Sequence, residues 1–216
     1  QPAAASRRFP SYLAPAMTQL PELPLTLSRQ EIRKMIRQRR RTLTPEQQQE
    51  MGQQAATRMM TYPPVVMAHT VAVFLSFDGE LDTQPLIEQL WRAGKRVYLP
   101  VLHPFSAGNL LFLNYHPQSE LVMNRLKIHE PKLDVRDVLP LSRLDVLITP
   151  LVAFDEYGQR LGMGGGFYDR TLQNWQHYKM QPVGYAHDCQ LVEKLPVEKW
   201  DIPLPAVVTP SKVWEW

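Results

Sequence analysis

The chain has 216 residues and a formal net charge of +3, with 44% hydrophobic and 21% charged residues. This composition is typical of a soluble globular protein and excludes the disordered and fibrous classes. The single cysteine excludes an internal disulfide framework and fits the reducing cytoplasm, where we expect the protein to act. No apolar run approaches the roughly 20 residues that span a bilayer, so we expect no membrane association.

Residues 1–27 are rich in proline and alanine and show no periodicity. We predict that they form a mobile leader, part of it foreign to the protein or upstream of a start at Met17. Residues 28–216 are enough for one domain with a complete hydrophobic core, so we predict a single domain there.

Two helices are predicted at the start of this domain. Ser28 and Glu31 form a capping box, in which each side chain satisfies a free backbone N–H group. The helix that follows has an apolar stripe and a separate stripe of arginines. Such a basic patch attracts the phosphates of a nucleotide or of nucleic acid, and a solvated helix face is an equal alternative. Thr44 and Pro45 then mark the start of a second helix, which should end near Met60.

A βαβ unit is predicted next. Residues 70–76 form an apolar run of strand length, and residues 96–102 form another. Between them, Asp82 or Thr83 should begin a helix that ends at Gly94. A strand, a helix and a strand within about thirty residues favour a parallel sheet.

Further strands complete the predicted sheet. Residues 109–115 should pair as a hairpin through a turn at residues 106–108, and the most apolar strand, residues 144–152, should lie centrally. The remaining predicted elements are a helix over residues 166–175 and strands over residues 182–186 and 206–208. We therefore predict an α/β fold with one layered domain.

The most informative segment is residues 160–169, RLGMGGGFYD, which has four glycines within five positions. Glycine lets main-chain N–H groups approach an anion closely, and the carboxylate of Asp169 suits a phosphate-bound Mg²⁺. The segment lacks the lysine and Ser/Thr of a P-loop, and it does not follow the first predicted strand as a dinucleotide-binding turn does. We interpret it as a nucleotide-phosphate site, with a flexible turn whose glycines serve packing as the alternative.

Other polar residues have both a functional and a structural interpretation. Glu80 follows a strand, at the sheet edge where ligands bind in α/β folds, although a helix cap is nearly as good an interpretation. Asp169 could be a carboxylate of a helix's first turn and Asp201 a cap or turn residue. The histidines lack metal-ligand spacing, so we assign them no metal site. Cys189 is interpreted as a small buried hydrophobe.

Residues 160–169 resemble the signature of the 5-formyltetrahydrofolate cyclo-ligases, also called 5,10-methenyltetrahydrofolate synthetases. The basic helix around Arg29 and Arg33, the strand end at residues 74–80 and the segment 195–201 occur in that family's order. The resemblance covers residues 28–208. It implies a three-layer α/β/α domain with a mostly parallel central sheet, resembling ribose-5-phosphate isomerases and CoA transferases.

The implied reaction is the ATP-dependent conversion of 5-formyltetrahydrofolate into 5,10-methenyltetrahydrofolate, with release of ADP and phosphate. Arg160 and Tyr168 are the implied catalytic residues, and Asp169 and Asp201 the implied Mg²⁺ ligands. The implied folate contacts are Leu75, Glu80, Met163 and Phe167. The implied ATP contacts are Arg29, Arg33, Arg160, Leu161, Gly162, Met163, Gly164, Gly165, Gly166, Phe167 and Tyr168. Some family members have lysine in place of Arg29 and of Gly165, so the γ-phosphate charge falls more heavily on Arg160 and Mg²⁺ here.

We expect ATP and a reduced folate as the partners of a monomeric enzyme. Two other functions stay open at this point. One is a small-molecule kinase that uses the same nucleotide site. The other is a nucleic-acid-binding module that uses residues 33–41, which is disfavoured because this run has no interleaved aromatic residues for base stacking.

Overall fold

The computed structural model describes residues 27–216, so the predicted leader at residues 1–27 lies outside the described residues except for Leu27. Its helices are α1 (Arg29–Arg41), α2 (Pro45–Thr61), α3 (Pro63–Met67), α4 (Gln84–Arg92) and α5 (Phe167–Leu172). Both predicted capping boxes are present: the hydroxyls of Ser28 and Thr44 each accept a backbone N–H at 3.1 Å. None of these helices is long and apolar enough to cross a membrane.

Twelve strands are found in the described residues. They are β1 (Thr70–Ala72), β2 (Arg96–Leu102), β3 (Leu110–Tyr115), β4 (Leu121–Met123), β5 (His129–Pro131), β6 (Val146–Thr149), β7 (Ala153–Asp155), β8 (Arg160–Leu161), β9 (Gln181–Tyr185), β10 (Leu191–Val192), β11 (Ala206–Val208) and β12 (Val213–Glu215). Seven of them form the main sheet in the order β12-β11-β9-β6-β1-β2-β3. Its five inner strands are parallel and its two edge strands are antiparallel, so the predicted α/β fold with a mostly parallel sheet is confirmed.

Both faces of the sheet are buried. Successive residues of its central strands point to opposite faces, and each set packs in its own apolar cluster. Val71 and Ile148 pack in one apolar cluster with α2 and α4, whereas Ala72 and Leu147 pack in another with Leu172 of α5. The domain therefore has layers on either side of the central sheet, and β1–α4–β2 is the predicted βαβ unit.

Several predicted boundaries are wrong. The predicted strand at residues 70–76 pairs as a strand only over Thr70–Ala72, and that at residues 144–152 only over Val146–Thr149. After β6 the chain leaves the main sheet, and β7 joins the small sheet β10-β7-β8. The last predicted helix ends at Leu172 instead of residue 175, because Asn174 adopts left-handed backbone angles. Asp82 and Thr83 are both predicted as possible caps of α4. The Asp82 carboxylate accepts the N–H of Gln84 at 3.0 Å, whereas the Thr83 side chain makes no capping hydrogen bond.

The topology brings the functional segments together. The carboxyl ends of β1 and β6 lie side by side in the sheet. The loop after β1 includes residues 73–83, and the segment after β6 leads through β7 and β8 into the glycine-rich residues. Ligands of α/β proteins bind at this edge of the sheet.

Candidate active site

A cavity of about 450 Å³ opens at the carboxyl ends of the central strands. Apolar side chains from the end of β1, from β2 and from β3 form much of its wall, and they include Phe74, Leu99 and Leu110. The hairpin of β4 and β5 forms another part, and the glycine-rich segment forms the rest. A cavity of this size with few polar groups is typical of a small-molecule site.

The glycine-rich segment joins β8 to α5 in a conformation that only glycine adopts readily. Gly164 has φ of +109° and Gly166 has φ of +70°, both in the region that disfavours side chains. A Cβ atom at Gly165 would lie 2.8 Å from the ring of Phe167. These glycines are therefore required by the shape of the loop and by its packing against Phe167.

Arginines and carboxylates surround this loop. The Arg160 side chain is 2% exposed, and its Nη2 donates to Asp169 Oδ1 at 2.6 Å. Arg29 makes a bidentate pair with Asp201, at 2.6 and 3.1 Å. Burial lowers the pKa of Arg160, and the nearby charges of Asp169 and Asp201 oppose that shift. The predicted nucleotide and metal residues thus lie in one cluster.

Arg33 connects α1 to the loop directly. Its Nε donates to the carbonyl oxygen of Gly162 at 2.7 Å, and its side chain is nearly buried. Its guanidinium also lies within 4 Å of the position that a Cβ atom of Gly164 would take. Arg33 therefore supports the loop and leaves positive charge beside it.

The two predicted metal ligands differ in how their oxygens are engaged. Both oxygens of Asp201 accept hydrogen bonds, from Arg29 and from the N–H of Glu198 at 2.8 Å. Asp169 uses only Oδ1, and within residues 27–216 no hydrogen bond reaches its Oδ2. In the same range, no group of three or more His, Cys, Asp or Glu side chains could hold a metal ion. A divalent ion here would need ligands from a nucleotide and water, which is how Mg²⁺ usually binds.

Glu80 supplies a carboxylate to the same cavity. Its Oε1 accepts the N–H of Phe77 at 2.8 Å, which holds it against its own turn. Burial raises the pKa of Glu80 to about 7, against the opposing effects of the Phe77 N–H and of Arg40. Burial and the charge of Glu80 also raise the pKa of Tyr168, so its hydroxyl keeps its proton at neutral pH.

The remaining predicted folate contacts also line the cavity. Leu75, Met163 and Phe167 are among its lining residues, and Met163 is half exposed. Sequence reasoning missed Asn124 and Glu130 of the β4–β5 hairpin, which have no motif around them. Glu130 accepts hydrogen bonds from Asn124 and from the N–H of Leu102, so it joins the hairpin to β2.

The rest of the basic helix has a structural role. Arg37, Arg40 and Arg41 all point toward Asp78, with N···O distances of 3.5 to 3.8 Å. Arg40 is buried and only 3% of its side chain is exposed. These arginines therefore hold the turn before Glu80, while Arg29 and Arg33 serve the glycine-rich loop.

Comparison with known proteins identifies the family. The model of the 5-formyltetrahydrofolate cyclo-ligase family matches residues 26–210. The chain belongs to this family. A 5-formyltetrahydrofolate cyclo-ligase of Escherichia coli K12 is 98% identical over 182 residues, which are 84% of this chain and 100% of that protein. The cyclo-ligase of Haemophilus influenzae is 53% identical over 179 residues, covering 83% of this chain and 96% of its own.

A solved cyclo-ligase relative has the same fold. The 5,10-methenyltetrahydrofolate synthetase of Aquifex aeolicus superposes with a TM-score of 0.75 at 28% identity, covering 88% of this chain and 93% of its own. The family resemblance of residues 160–169 is therefore confirmed.

Proposed function

We propose that the protein uses ATP to close the ring of 5-formyltetrahydrofolate, forming 5,10-methenyltetrahydrofolate, ADP and phosphate. The observation that carries this proposal is one cavity lined both by the glycine-rich loop with Arg160 and by apolar walls with Glu80. The first part suits phosphates and the second suits a flat heterocycle with N–H donors. Membership of the 5-formyltetrahydrofolate cyclo-ligase family and the similarity to the Escherichia coli cyclo-ligase support the same reaction.

The chemistry explains why ATP is required. The oxygen of an N-formyl group is a poor leaving group, so attack of N10 on the formyl carbon stalls. Transfer of the γ-phosphoryl group to that oxygen makes the carbon electrophilic. N10 then forms the new C–N bond, and the C–O bond breaks with release of phosphate. The protein must hold the two substrates in line and offset the charge of the phosphates.

The nucleotide side of the site has the cations for this task. Arg29, Arg33 and Arg160 carry guanidinium groups around the loop, and main-chain N–H groups of the loop supply further donors. Arg29 is paired with Asp201 here, so in this proposal it serves the phosphates only if ATP displaces that pair. Because Gly165 has no side chain, the negative charge of the γ-phosphate would be offset mainly by Arg160 and by a bound Mg²⁺. Tyr168 stays protonated and donates its hydroxyl to an oxygen of the transferring group.

Asp169 fits the role of Mg²⁺ ligand, since its Oδ2 has no hydrogen-bond donor within residues 27–216. Asp201 fits it only after Arg29 has left, because Arg29 occupies both of its oxygens. A Mg²⁺ ion held there would help to offset the negative charge of the phosphates.

The folate side holds the ring system. Leu75, Met163 and Phe167 contact the flat rings, and Glu80 accepts N–H groups of the pterin. We also propose that residues 28–216 act as one domain and that the protein works as a monomer in the cytoplasm.

Purified protein tests the reaction directly. With 5-formyltetrahydrofolate, ATP and Mg²⁺, the near-ultraviolet absorbance of the methenyl product should grow, and an Asp169→Asn control should be much slower. No growth above that control would contradict the proposal. A stable phosphorylated product without ring closure would instead identify a small-molecule kinase.

A further inference from the structure

His187 is a buried histidine that does not line the cavity described above. It follows β9, and its Nε2 lies 3.2 Å from the carbonyl oxygen of Gly79. A carbonyl oxygen only accepts, so Nε2 must carry the hydrogen. Burial lowers the pKa of His187 to about 4, and the nearby Arg40 adds to this shift. The imidazole is therefore a neutral, permanent donor to Gly79 at physiological pH.

The acceptor belongs to an unusual turn. Asp78 has φ of +50° and Gly79 has φ of +78°, so two successive residues are left-handed. Such a conformation persists only where the surroundings hold it, above all at a residue other than glycine. The next residue is Glu80, so the path of this turn sets where the Glu80 carboxylate lies.

Other contacts also hold the turn. Glu80 Oε1 accepts the N–H of Phe77 at 2.8 Å, which closes the turn on itself, whereas His187 joins the turn to a distant segment. The ion pairs of Asp78 with Arg37, Arg40 and Arg41 span 3.5 to 3.8 Å. The pair with the exposed Arg41 contributes little, whereas the Arg40 side chain is buried. Gln48 also donates to the Gly79 oxygen, but at 3.3 Å and from an exposed position. Of the two side chains that contact the Gly79 oxygen, His187 is the buried one.

The position of His187 is itself fixed. Its backbone N–H donates to Gln190 Oε1 at 2.9 Å. The buried Gln190 amide in turn donates to the carbonyl oxygens of Leu151 and Val152, at 2.8 and 3.1 Å. His187 is thus anchored to the segment that leaves β6, and it transmits a fixed position to the turn after β1.

We propose that His187 is a positioning residue for folate binding. Its Nε2–H bond to Gly79 holds the Asp78–Gly79 turn in the conformation that presents the Glu80 carboxylate to the cavity. The proposal rests on the folate contact proposed for Glu80. It is nevertheless a separate claim, because His187 is absent from the described lining of the cavity.

Steady-state kinetics of His187→Phe, His187→Gln and Glu80→Gln test it. Phenylalanine places an aromatic ring in the same buried position but has no N–H donor. Glutamine has an amide N–H donor that can reach the Gly79 oxygen. Tyr185→Phe is the matched control, because it alters another buried side chain near the end of β9 whose hydroxyl has no hydrogen-bond partner in the described chain.

Losing one hydrogen bond of typical strength should raise the KM for 5-formyltetrahydrofolate about three- to tenfold in His187→Phe. The KM for ATP should stay within about twofold, and His187→Gln should recover most of the loss. Tyr185→Phe should match the unmodified protein. In the Glu80→Gln background, His187→Phe should have little further effect, because the two residues act as a unit.

Four results would overturn the proposal. An unchanged folate KM in His187→Phe, while Glu80→Gln raises it, would refute His187 alone. Equal rises of the folate and ATP KM values, or full additivity with Glu80→Gln, would show a general structural role. An unchanged folate KM in Glu80→Gln would refute the Glu80 contact itself, and this proposal with it, although ring closure could still occur.

Discussion

Two loops border the cavity. Arginines of α1 contact both of them, but the two loops differ in the charge that they present to the cavity. The glycine-rich loop and the turn at Asp78–Gly79 both contain left-handed residues. Around the glycine-rich loop lie guanidinium groups that can face phosphates. At the turn, the arginines instead face Asp78, and Glu80 is left as a weakly acidic carboxylate in the cavity. One helix thus serves a cationic half and an acidic half of one site.

Replacement of Arg160 should have the largest effect on this division. Arg160→Ala removes a buried cation beside Asp169 and should lower kcat/KM by about 10²- to 10³-fold, in the range measured for single transition-state donors. Nucleotide binding by calorimetry should weaken with it. Arg160→Lys keeps a cation beside the half-buried Asp169, and thermal unfolding curves of both variants separate lost activity from lost stability. Unchanged nucleotide binding in Arg160→Ala would show that the loop is not the ATP site.

Glu80→Gln should weaken the binding of folate, which we assign to the acidic half of the site, and leave the binding of ATP unchanged. Hydrogen bonds to a charged group contribute about 1.5–3 kcal/mol, so the folate KM should rise about ten- to a hundredfold. The KM for ATP should change little because Glu80 lies in the turn after β1 and not among Arg29, Arg33 and Arg160, which surround the glycine-rich loop. Equal changes in both KM values, measured with the methenyl absorbance assay, would remove the distinction between the halves.

The pH dependence of folate binding should report the same carboxylate. Its pKa is about 7, and an N–H donor favours the ionised form. Folate affinity should therefore be constant above about pH 7 and fall below it, by up to about tenfold for each pH unit. Arg40, Asp78 and Tyr168 are the other charged or titratable groups near this carboxylate, and the Glu80→Gln variant separates them from it. A pH profile unaltered in that variant would assign the titration to another group.

The raised pKa of Glu80 also makes the stability of the folded protein depend on pH. Between about pH 4.5 and 7 the folded protein holds a proton that the unfolded chain has released, so the free energy of unfolding falls as the pH rises through this range. Glu80→Gln should remove this contribution, which urea denaturation at several pH values would measure.

Substitutions at two neighbouring glycines should each affect one substrate more than the other, with smaller effects than those above. Gly164→Ala forces a side chain into a left-handed conformation beside Arg33, and the KM for ATP should rise about fivefold or more. Gly165→Ala pushes the Phe167 ring, which lines the cavity, so the folate KM should rise by a few fold instead. Interchanged effects would mean that these loop positions face the opposite substrates.

The sequence predicted what depends on local signals. Both capping boxes, the βαβ unit and the glycine-rich loop are encoded within a few neighbouring residues. The strand ends were wrong because an apolar run does not show where the chain leaves the sheet, as it does after Thr149. The edge strand β12 and the β4–β5 hairpin are short, and their pairing depends on contacts that periodicity does not report.

The site itself depends on contacts between distant residues. The carboxylate of Asp201 meets Arg29 across 172 positions, and Arg33 meets Gly162 across 129. The family resemblance placed these residues in one site, but it did not indicate that the carboxylates pair with arginines. The bond from His187 to Gly79 has no sequence signal at all, because it arises from the packing of β9 beside β6.

The central claim is that one cavity couples phosphoryl transfer to ring closure. Its most direct test is to measure ADP, phosphate and methenyl product in the same reaction of purified protein with 5-formyltetrahydrofolate, ATP and Mg²⁺. One ADP and one phosphate should appear for each methenyl product, and none of the three should form when folate is omitted. ATP consumption without methenyl formation, or methenyl formation without ATP, would contradict it.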